Sequence, residues 1–366
     1  MRIFNHDIMI CTHDQVVGNQ YFSGRVLGST ESDDVIQLHP DLKPEWDAIA
    51  AHYTRIGLSH TENVIWDISF HHLSGHPEHE ISVFYFGDAV HANSPYLGLF
   101  QGLDAPWYDT VQWINSKNNF MTLADELGIA VPKTVRYTSP SSIDLDDPGV
   151  DYPLYLKPAV SVDGMGIVRC SDQQTLTKAL ATVAEGVPIQ LQKEVNAKTF
   201  LNVQYRSTPN GPQRLAITEQ ILDGYNHLGN RYPTVYDAWD LVEPMAVWMV
   251  DRGMQEIFAF DVAVEEINAK PNYLAIECNP RYNGASYPTG IALKLNLKHW
   301  THETFTSRYR SLSDIDLNGL EYDEASHTGI ILVNWGIVLV GKLGILLVGS
   351  PEKQLELREK VKARLE

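Results

Sequence analysis

Polar and apolar positions alternate with period two along Ile257 to Glu266 (IFAFDVAVEE), with Phe258, Phe260, Val262 and Val264 on one side and Ala259, Asp261 and Ala263 on the other. The same alternation runs through Tyr273 to Arg281 (YLAIECNPR), grouping Ala275, Glu277 and Asn279 against Leu274, Ile276 and Cys278. Strand side chains point to opposite faces in turn, so each run predicts a half-buried strand. The Asn268-Ala-Lys-Pro-Asn272 stretch between them is turn chemistry, and the pair reads as an antiparallel hairpin.

Upstream the period changes. SKNNFMTLADELG carries Phe120, Leu123, Ala124 and Leu127 at helical spacing and stops at Gly128. IAVPKTVRY, YPLYLKP and PIQLQKEV read as short strands, and a Gly-containing loop within PAVSVDGMGIVRC leads into another. A capping box, Ser171-x-x-Gln174, opens a helix with Leu176, Ala179, Leu180, Val183 and Ala184 on its apolar face, stopped by Gly186. Residues 1 to about 115 look mixed α/β, with a helix within Lys43 to Ile56 and a buried strand at Ile81 to Asp88. The segment Gly329 to Gly349 is apolar enough to suggest a membrane span. However, Asn334, Gly336, Gly341, Lys342 and Gly344 divide it into runs of strand length, whereas a spanning helix needs about 20 nearly uninterrupted apolar residues. The tail from Pro351 reads as an amphipathic helix. No internal repeat is visible.

Composition narrows the function. The 366 residues carry 28 basic and 46 acidic side chains, a formal charge of −18, and no basic run offsets that field. A nucleic acid would be repelled. Cys11, Cys170 and Cys278 form no C-x-x-C pair, so neither a zinc site nor a disulfide framework is indicated. The N-terminus lacks the apolar core of a secretory signal, and a cytoplasmic protein is expected. Chain length calls for two or three subdomains. The patch His71, His72, His76 and His79 has no Cys or E-x-x-H companion and reads as a solvated loop.

Three elements carry chemistry. Asp261, Glu277 and Asn279 can share one face of the hairpin, a hard-oxygen cluster of the kind Mg²⁺ takes, and Arg281 lies two residues beyond. Lys157 ends an apolar strand just before the loop Ser161-Val-Asp-Gly164-Met-Gly166, whose backbone N–H groups can wrap phosphate oxygens. The strand edge Gln192-Lys193-Glu194-Val195 offers main-chain groups for an adenine edge. Each alone has a bland reading, as a solvated carboxylate, a plain turn or an ordinary loop.

In order, Lys117, YLKP with Lys157, DGMG, QLQKEV, FDV and ECNPR resemble the ATP-grasp superfamily in its biotin-carboxylase-like branch, from about Ser116 to Tyr287. GIILVNWGIVLVGKLGILLVGS looks like the C-terminal sheet of the amino-acid ligases in this superfamily. The resemblance implies an α/β (α+β) ATP-grasp fold with an N-terminal pre-ATP-grasp domain over 1–115. It further implies a subdomain with a small lid over 116–190, a subdomain with the Mg site over 191–300, and a C-terminal antiparallel sheet and helix over 301–366. By position, Lys117 and Lys157 would contact nucleotide phosphates, Gly164 and Gly166 would lie in the lid, and Gln192, Lys193 and Val195 would line the adenine pocket. Asp261, Glu277 and Asn279 would hold Mg²⁺, two ions being usual and Mn²⁺ an alternative, and Arg281 would stabilise the transferring phosphoryl group. Two departures stand out: Gln192 where many members have Glu, and Thr199 near the place of a ribose-binding Glu. The lid is also poorer in glycine than that of biotin carboxylase.

The polar segment Thr218-Glu219-Gln220 to Pro233 lies between the adenine strand and the hairpin. In similar ligases this region touches substrate, which makes Glu219 and His227 candidates for the acceptor side. The implied reaction is ATP-dependent joining of a small-molecule carboxylate to an amine, with a homodimer the assembly to expect. A small-molecule phosphotransferase on the same fold is the alternative, then a non-catalytic ATP-binding protein. A biotin-dependent carboxylase is disfavoured by the lack of an A-M-K-M-type carrier segment.

Overall fold

The computed structural model describes residues 1–12, 16–85, 96–145, 150–161, 166–224 and 226–366. The chain folds as two compact units: Met1–Asp88, Thr218–Val235 and Arg281–Glu366 form the first, Ala89–Ile217 and Tyr236–Pro280 the second.

In the first unit a parallel sheet runs in the order Val64–Ile65, Val35–Gln37, Arg2–Asn5, Glu80–Val83. Its last strand answers the run expected over Ile81 to Asp88, of which residues 86–88 lie outside the described residues. Helix Trp46–Arg55 buries Ile49, His52 and Tyr53. The apolar Gly329 to Gly349 stretch forms strand Gly329–Leu332, a 3-10 turn at Gly336–Val340 and strand Lys342–Val348. These two strands pair antiparallel, and Trp300–Thr306 continues the sheet from Lys342–Val348 to Asn226–Tyr232. Among the described residues no helix is long and apolar enough to cross a membrane. Helix Pro351–Leu365 lays Leu357, Val361 and Leu365 against the sheet. Each fully buried aliphatic side chain there contributes roughly 1.5–3 kcal/mol.

The second unit holds two antiparallel layers. The smaller is ordered Thr134–Tyr137, Ile189–Lys193, Leu154–Pro158, Val168–Cys170 and is backed by helix Gln173–Leu180. Leu154, Leu156, Ile189 and Leu191 on one face meet Cys170, Leu176 and Ala179 in a closed core. The helix differs from the capping-box reading: Asp172, not Ser171, is the N-cap and accepts from Thr175 N–H at 2.8 Å. It also ends at Leu180, so Val183 packs on the core from beyond the helix, while Ala184, expected on the apolar face, is exposed. A carboxylate one residue later caps better because it also faces the helix dipole. The larger layer pairs Ala197–Thr208 with Ile257–Ile267 and Ile257–Ile267 with Lys270–Asn279. Leu201, Val203, Tyr205, Phe258, Phe260 and Val262 on its apolar face are fully buried, and helix Trp239–Asp251 packs against that layer. The three cysteines are buried and none is in a disulfide.

Candidate active site

The hairpin turns on only two residues, Asn268 and Ala269, both at positive φ (53° and 60°), the geometry of a tight two-residue connection. From that turn Ile267 pairs with Lys270, and regular pairing continues to Val262 opposite Ala275. Continued unchanged, it would set Asp261 opposite Ile276. Instead the register shifts, Ile276 is left over as a bulge, and Asp261 pairs with Glu277. Directly opposed residues share a face, so the bulge brings Glu277 and Asn279 to the side of Asp261. It also corrects the simple alternation: Ala275, opposite Val262, lies on the apolar face and is fully buried.

On the other side Asp261 pairs with Asn202. Asn202 Nδ2 donates to Asp261 Oδ1 at 2.7 Å and Asn279 Nδ2 donates to Oδ2 at 3.0 Å. The carboxylate is thus fixed by two side-chain amides from neighbouring strands. Because Asn279 aims its nitrogen at Asp261, its carbonyl oxygen is the atom presented outward.

Lys117 is the first residue of helix Lys117–Leu127, whose N-cap Ser116 accepts from Asn119 N–H at 3.4 Å. A cation there opposes the helix dipole, and Lys117 is only 7 % exposed. Its ammonium is compensated by Glu277 Oε2 at 3.0 Å and by Ser161 Oγ at 3.2 Å. Its own N–H donates to the Ala159 carbonyl at 2.6 Å, tying the helix start to the strand that carries Lys157.

Lys157 shares a sheet face with Tyr155, Gln190 and Gln192. Its Nζ donates to Gln192 Oε1 at 2.7 Å, and Gln192 Nε2 donates to Thr134 Oγ1 at 3.1 Å. Burial pulls the Lys157 ammonium down to about 8; the charges of Glu277 and Asp261 oppose this and that of Lys117 adds to it. These four charged groups therefore act on one another within one unit. Gln190, fully buried on the same face, has both amide atoms without a partner among the described residues.

Other candidates are placed differently. Lys193 points to the opposite face of the small sheet, where its ammonium binds Asp151 Oδ1 at 2.9 Å and the Tyr152 carbonyl at 2.7 Å, so its side chain does not join Gln192. The N–H groups of Lys193 and Glu194 are taken by the carbonyls of Lys133 and Pro153. Val195 follows in the half-exposed link to the next strand. Gly166 has φ +75°, and a Cβ there would stand 2.9 Å from the Pro158 ring, so glycine keeps that loop end close to the strand. Gly164 lies outside the described residues.

Glu219, His227 and Arg281 belong to the first unit. Both Glu219 oxygens are engaged, by Arg231 Nε at 2.6 Å and Thr234 Oγ1 at 2.8 Å, which suits a fixed anchor more than a base. His227 Nε2 meets Asn230 Oδ1 at 2.6 Å, and the buried Asn230 donates to Thr218 Oγ1 at 3.1 Å. In the neutral ring this leaves the basic lone pair on Nδ1. A side chain at Gly284 would strike the His227 ring, at 2.8 Å. The Arg281 guanidinium stands 5.7 Å from the centre of the Phe84 ring and 5.8 Å from that of Tyr85. In the histidine-rich stretch His72 Nε2 pairs with Asp67 at 2.9 Å, while ligand atoms of His76, Glu78 and His79 gather within 4.8 Å.

Asn202 and Gln190 were not singled out from sequence. For Asn202 a signal existed: in LNVQY, Asn202 and Gln204 alternate with Leu201, Val203 and Tyr205. Gln190 had none beyond its place two residues before Gln192.

The donor set fits a divalent cation bound beside a polyphosphate. Two carboxylates and an amide carbonyl supply hard oxygens, few in number, as Mg²⁺ prefers, and two buried ammoniums stand ready for phosphate oxygens.

No protein-family model matches the chain. Among curated proteins it is similar to the carbamoyl phosphate synthase large chain of Rhodopirellula baltica, 22 % identical over 186 residues. That match covers 47 % of this chain and spans 17 % of the relative's length. Solved structures align over nearly the whole chain. The N5-carboxyaminoimidazole synthetase of Staphylococcus aureus complexed with ADP has TM-score 0.60 at 13 % identity, covering 94 % of this chain and 95 % of the other. The N5-carboxyaminoimidazole ribonucleotide synthetase of Thermus thermophilus has TM-score 0.57 at 14 % identity, covering 100 % and 99 %. The biotin carboxylase domain of Hydrogenobacter thermophilus 2-oxoglutarate carboxylase, complexed with MgADP, ADP and bicarbonate, has TM-score 0.57 at 12 % identity, covering 94 % and 88 %. These neighbours are ATP-grasp enzymes, and the chain has the ATP-grasp fold.

Proposed function

We propose that the chain is an ATP- and Mg²⁺-dependent ligase that activates a carboxylate as an acyl-phosphate and couples it to an amine, releasing ADP and phosphate. The observation that carries this reading is the row Asn202, Asp261, Glu277 and Asn279 on one sheet face, in electrostatic contact with Lys117 and Lys157 in the same unit. It is supported by neighbours of the same fold whose structures contain ADP.

Asp261, Glu277 and Asn279 are the residues to hold Mg²⁺, which when bound offsets charge on the β- and γ-phosphates. Lys117 and Lys157 supply the remaining positive charge, and their burial strengthens it because water does not screen them. Gln192 fixes the Lys157 ammonium, and Gln190 offers an amide to the same polyanion. A carboxylate attacking the γ-phosphoryl then finds its developing charge already matched, so positioning contributes much of the rate. An amine displaces phosphate from the acyl-phosphate in the second step. Arg281 is the candidate to offset charge on the transferring phosphoryl group, and His227, through Nδ1 as a proton acceptor, is the candidate for the acceptor side.

The test is ATP turnover against a panel of carboxylic acids and amino acids, with and without amines, with hydroxylamine as a trap. ADP release that needs an amine, and a hydroxamate in the trap, is the expected result. A phosphorylated product that hydroxylamine leaves intact would replace this reading with a phosphotransferase.

A further inference from the structure

Arg25 lies in the 3-10 segment Asn19–Ser29 of the first unit and is 8 % exposed. Its guanidinium is sandwiched by rings, 4.2 Å from the centre of Tyr287, 4.6 Å from Phe84 and 5.1 Å from Phe22. Rings satisfy the faces of a guanidinium but not its N–H edge. The Tyr287 hydroxyl also interacts with the guanidinium, yet on that edge Nε and Nη2 have no acceptor in good hydrogen-bond geometry among the described residues.

That edge is the fork that receives a carboxylate side-on. Elsewhere this chain fills it: Arg55 pairs through Nε and Nη2 with Glu321, Arg169 with Glu194, Arg231 with Glu219 and Arg358 with Glu303. Arg25 is more deeply buried than any of these and has no such carboxylate among the described residues.

Two neighbours are open as well. Asp7 lies within the field of Arg25 yet does not pair with it: its Oδ2 accepts from Met9 N–H at 3.3 Å, while its buried Oδ1 has no donor among the described residues. His302, which also feels the Arg25 charge, has both ring nitrogens buried and unpartnered among the described residues; burial, then the charges of His227 and Arg25, pushes it down to about 3, so the ring is neutral. Arg281 shares the Phe84 ring with Arg25, adding a second cation in a chain of net charge −18. Buried polar groups of this strength are left open only where something else satisfies them.

We propose that the first unit carries a carboxylate-binding site centred on Arg25, for a small acid that also bears a hydrogen-bond donor for Asp7, an α-amino acid being the simplest such molecule. As the seat of a co-substrate this rests on the ligase reading; as a binding site it does not.

The experiment is calorimetric titration of the full chain, without nucleotide, with the twenty L-amino acids and with propionate and succinate as acids lacking the amine. At least one amino acid should bind saturably and more tightly than propionate. Arg25→Lys keeps the charge but loses the fork, and it should weaken binding by about tenfold or more, as should Arg25→Gln. Circular dichroism melts report whether the variants fold. A crystal structure of the unaltered protein with the tightest ligand should place its carboxylate on Nε and Nη2, a readout that needs no variant. Absence of any saturable binding, wild-type affinity in a folded Arg25→Lys, or a carboxylate bound elsewhere would overturn the site. Carboxylate- and amine-dependent ATP turnover with no such binding would keep the ligase and remove this site. Arg25-dependent binding with no acyl-phosphate would do the reverse.

Discussion

Lys117 Nζ and Glu277 Oε2 stand 3.0 Å apart, linking the first residue of a helix to the hairpin strand that carries the proposed metal ligands. The ammonium occupies an oxygen that a divalent cation would use, and a nucleotide phosphate offers the ammonium another partner. Metal and nucleotide binding should therefore support each other through this pair. Lys117→Met is expected to weaken MgADP binding on the order of 10-fold or more, while binding of Mg²⁺ alone at the site becomes tighter. Titrations with each ligand separately check the two opposite signs. Glu277→Gln should lower ATP turnover on the order of 100-fold and raise the Mg²⁺ concentration needed for half-maximal rate; wild-type rates at saturating Mg²⁺ would contradict its role.

Asn202 fixes one oxygen of Asp261 and Asn279 the other. Asn202→Leu removes the first amide and frees the carboxylate to rotate, so the Mg²⁺ requirement should rise several-fold with little change in melting temperature. Asn202→Asp puts a second carboxylate against Asp261 and should be worse on both counts. Mg²⁺-dependence of the rate, measured beside thermal melts, distinguishes these outcomes.

Lys157, held down to about 8 by its burial, is charged at neutral pH and loses its proton as the pH rises through that value. A polyanion binds the protonated form and so takes up a proton near this pH. Affinity for MgADP should therefore be flat below pH 7 and fall by up to about tenfold per unit well above 8. Lys157→Arg, which stays charged, should flatten the profile. Calorimetry in buffers of different ionisation enthalpy detects the proton uptake directly.

Far along the chain from these residues, Glu321 accepts from His52 Nδ1 at 2.7 Å and from Arg55 Nε and Nη2 at 2.7 and 2.6 Å. His52 Nε2 accepts from Leu332 N–H at 3.1 Å, which fixes the proton on Nδ1. Burial opposes ionisation of Glu321, but these hydrogen bonds and charges overcome it and hold the carboxyl at about 2, against 4.5 for the free side chain. A depressed carboxylate stabilises the fold above its unfolded value and loses that contribution as the pH falls toward the folded one. Glu321→Gln should therefore cost roughly 2–3 kcal/mol at neutral pH, a difference that closes between pH 4.5 and 2. Denaturant melts at several pH values test this.

The fold was legible wherever periodicity and punctuation agree. Phe120, Leu123 and Ala124 are buried on a helix that stops at Gly128, and the apolar stretch from Gly329 is cut into strands where Asn334 and the glycines fall. Legibility failed where tertiary context chooses between equal local options. Ser171 and Asp172 are both good caps, and the choice depends on one residue of phase. Lys193 looked like a neighbour of Gln192, but a strand sends adjacent side chains to opposite faces, and Asp151 and Tyr152 receive it. Arg25 carries no motif at all; only burial and the rings around it make it conspicuous.

The extra residue at Ile276 has a consequence for how this protein can vary. The two-residue turn pins one end of the hairpin, so every position beyond Ala275 takes its orientation from that single insertion. Loss of one residue between the turn and Glu277 would absorb the bulge and keep Glu277 opposite Asp261. Gain of one would leave composition and hydropathy almost untouched, yet with the same single bulge it would set Glu277 opposite Phe260 and send the acid and the amide of Asn279 into the hydrocarbon layer. Point changes along this ribbon are therefore graded in their effect, while a one-codon insertion is all or nothing.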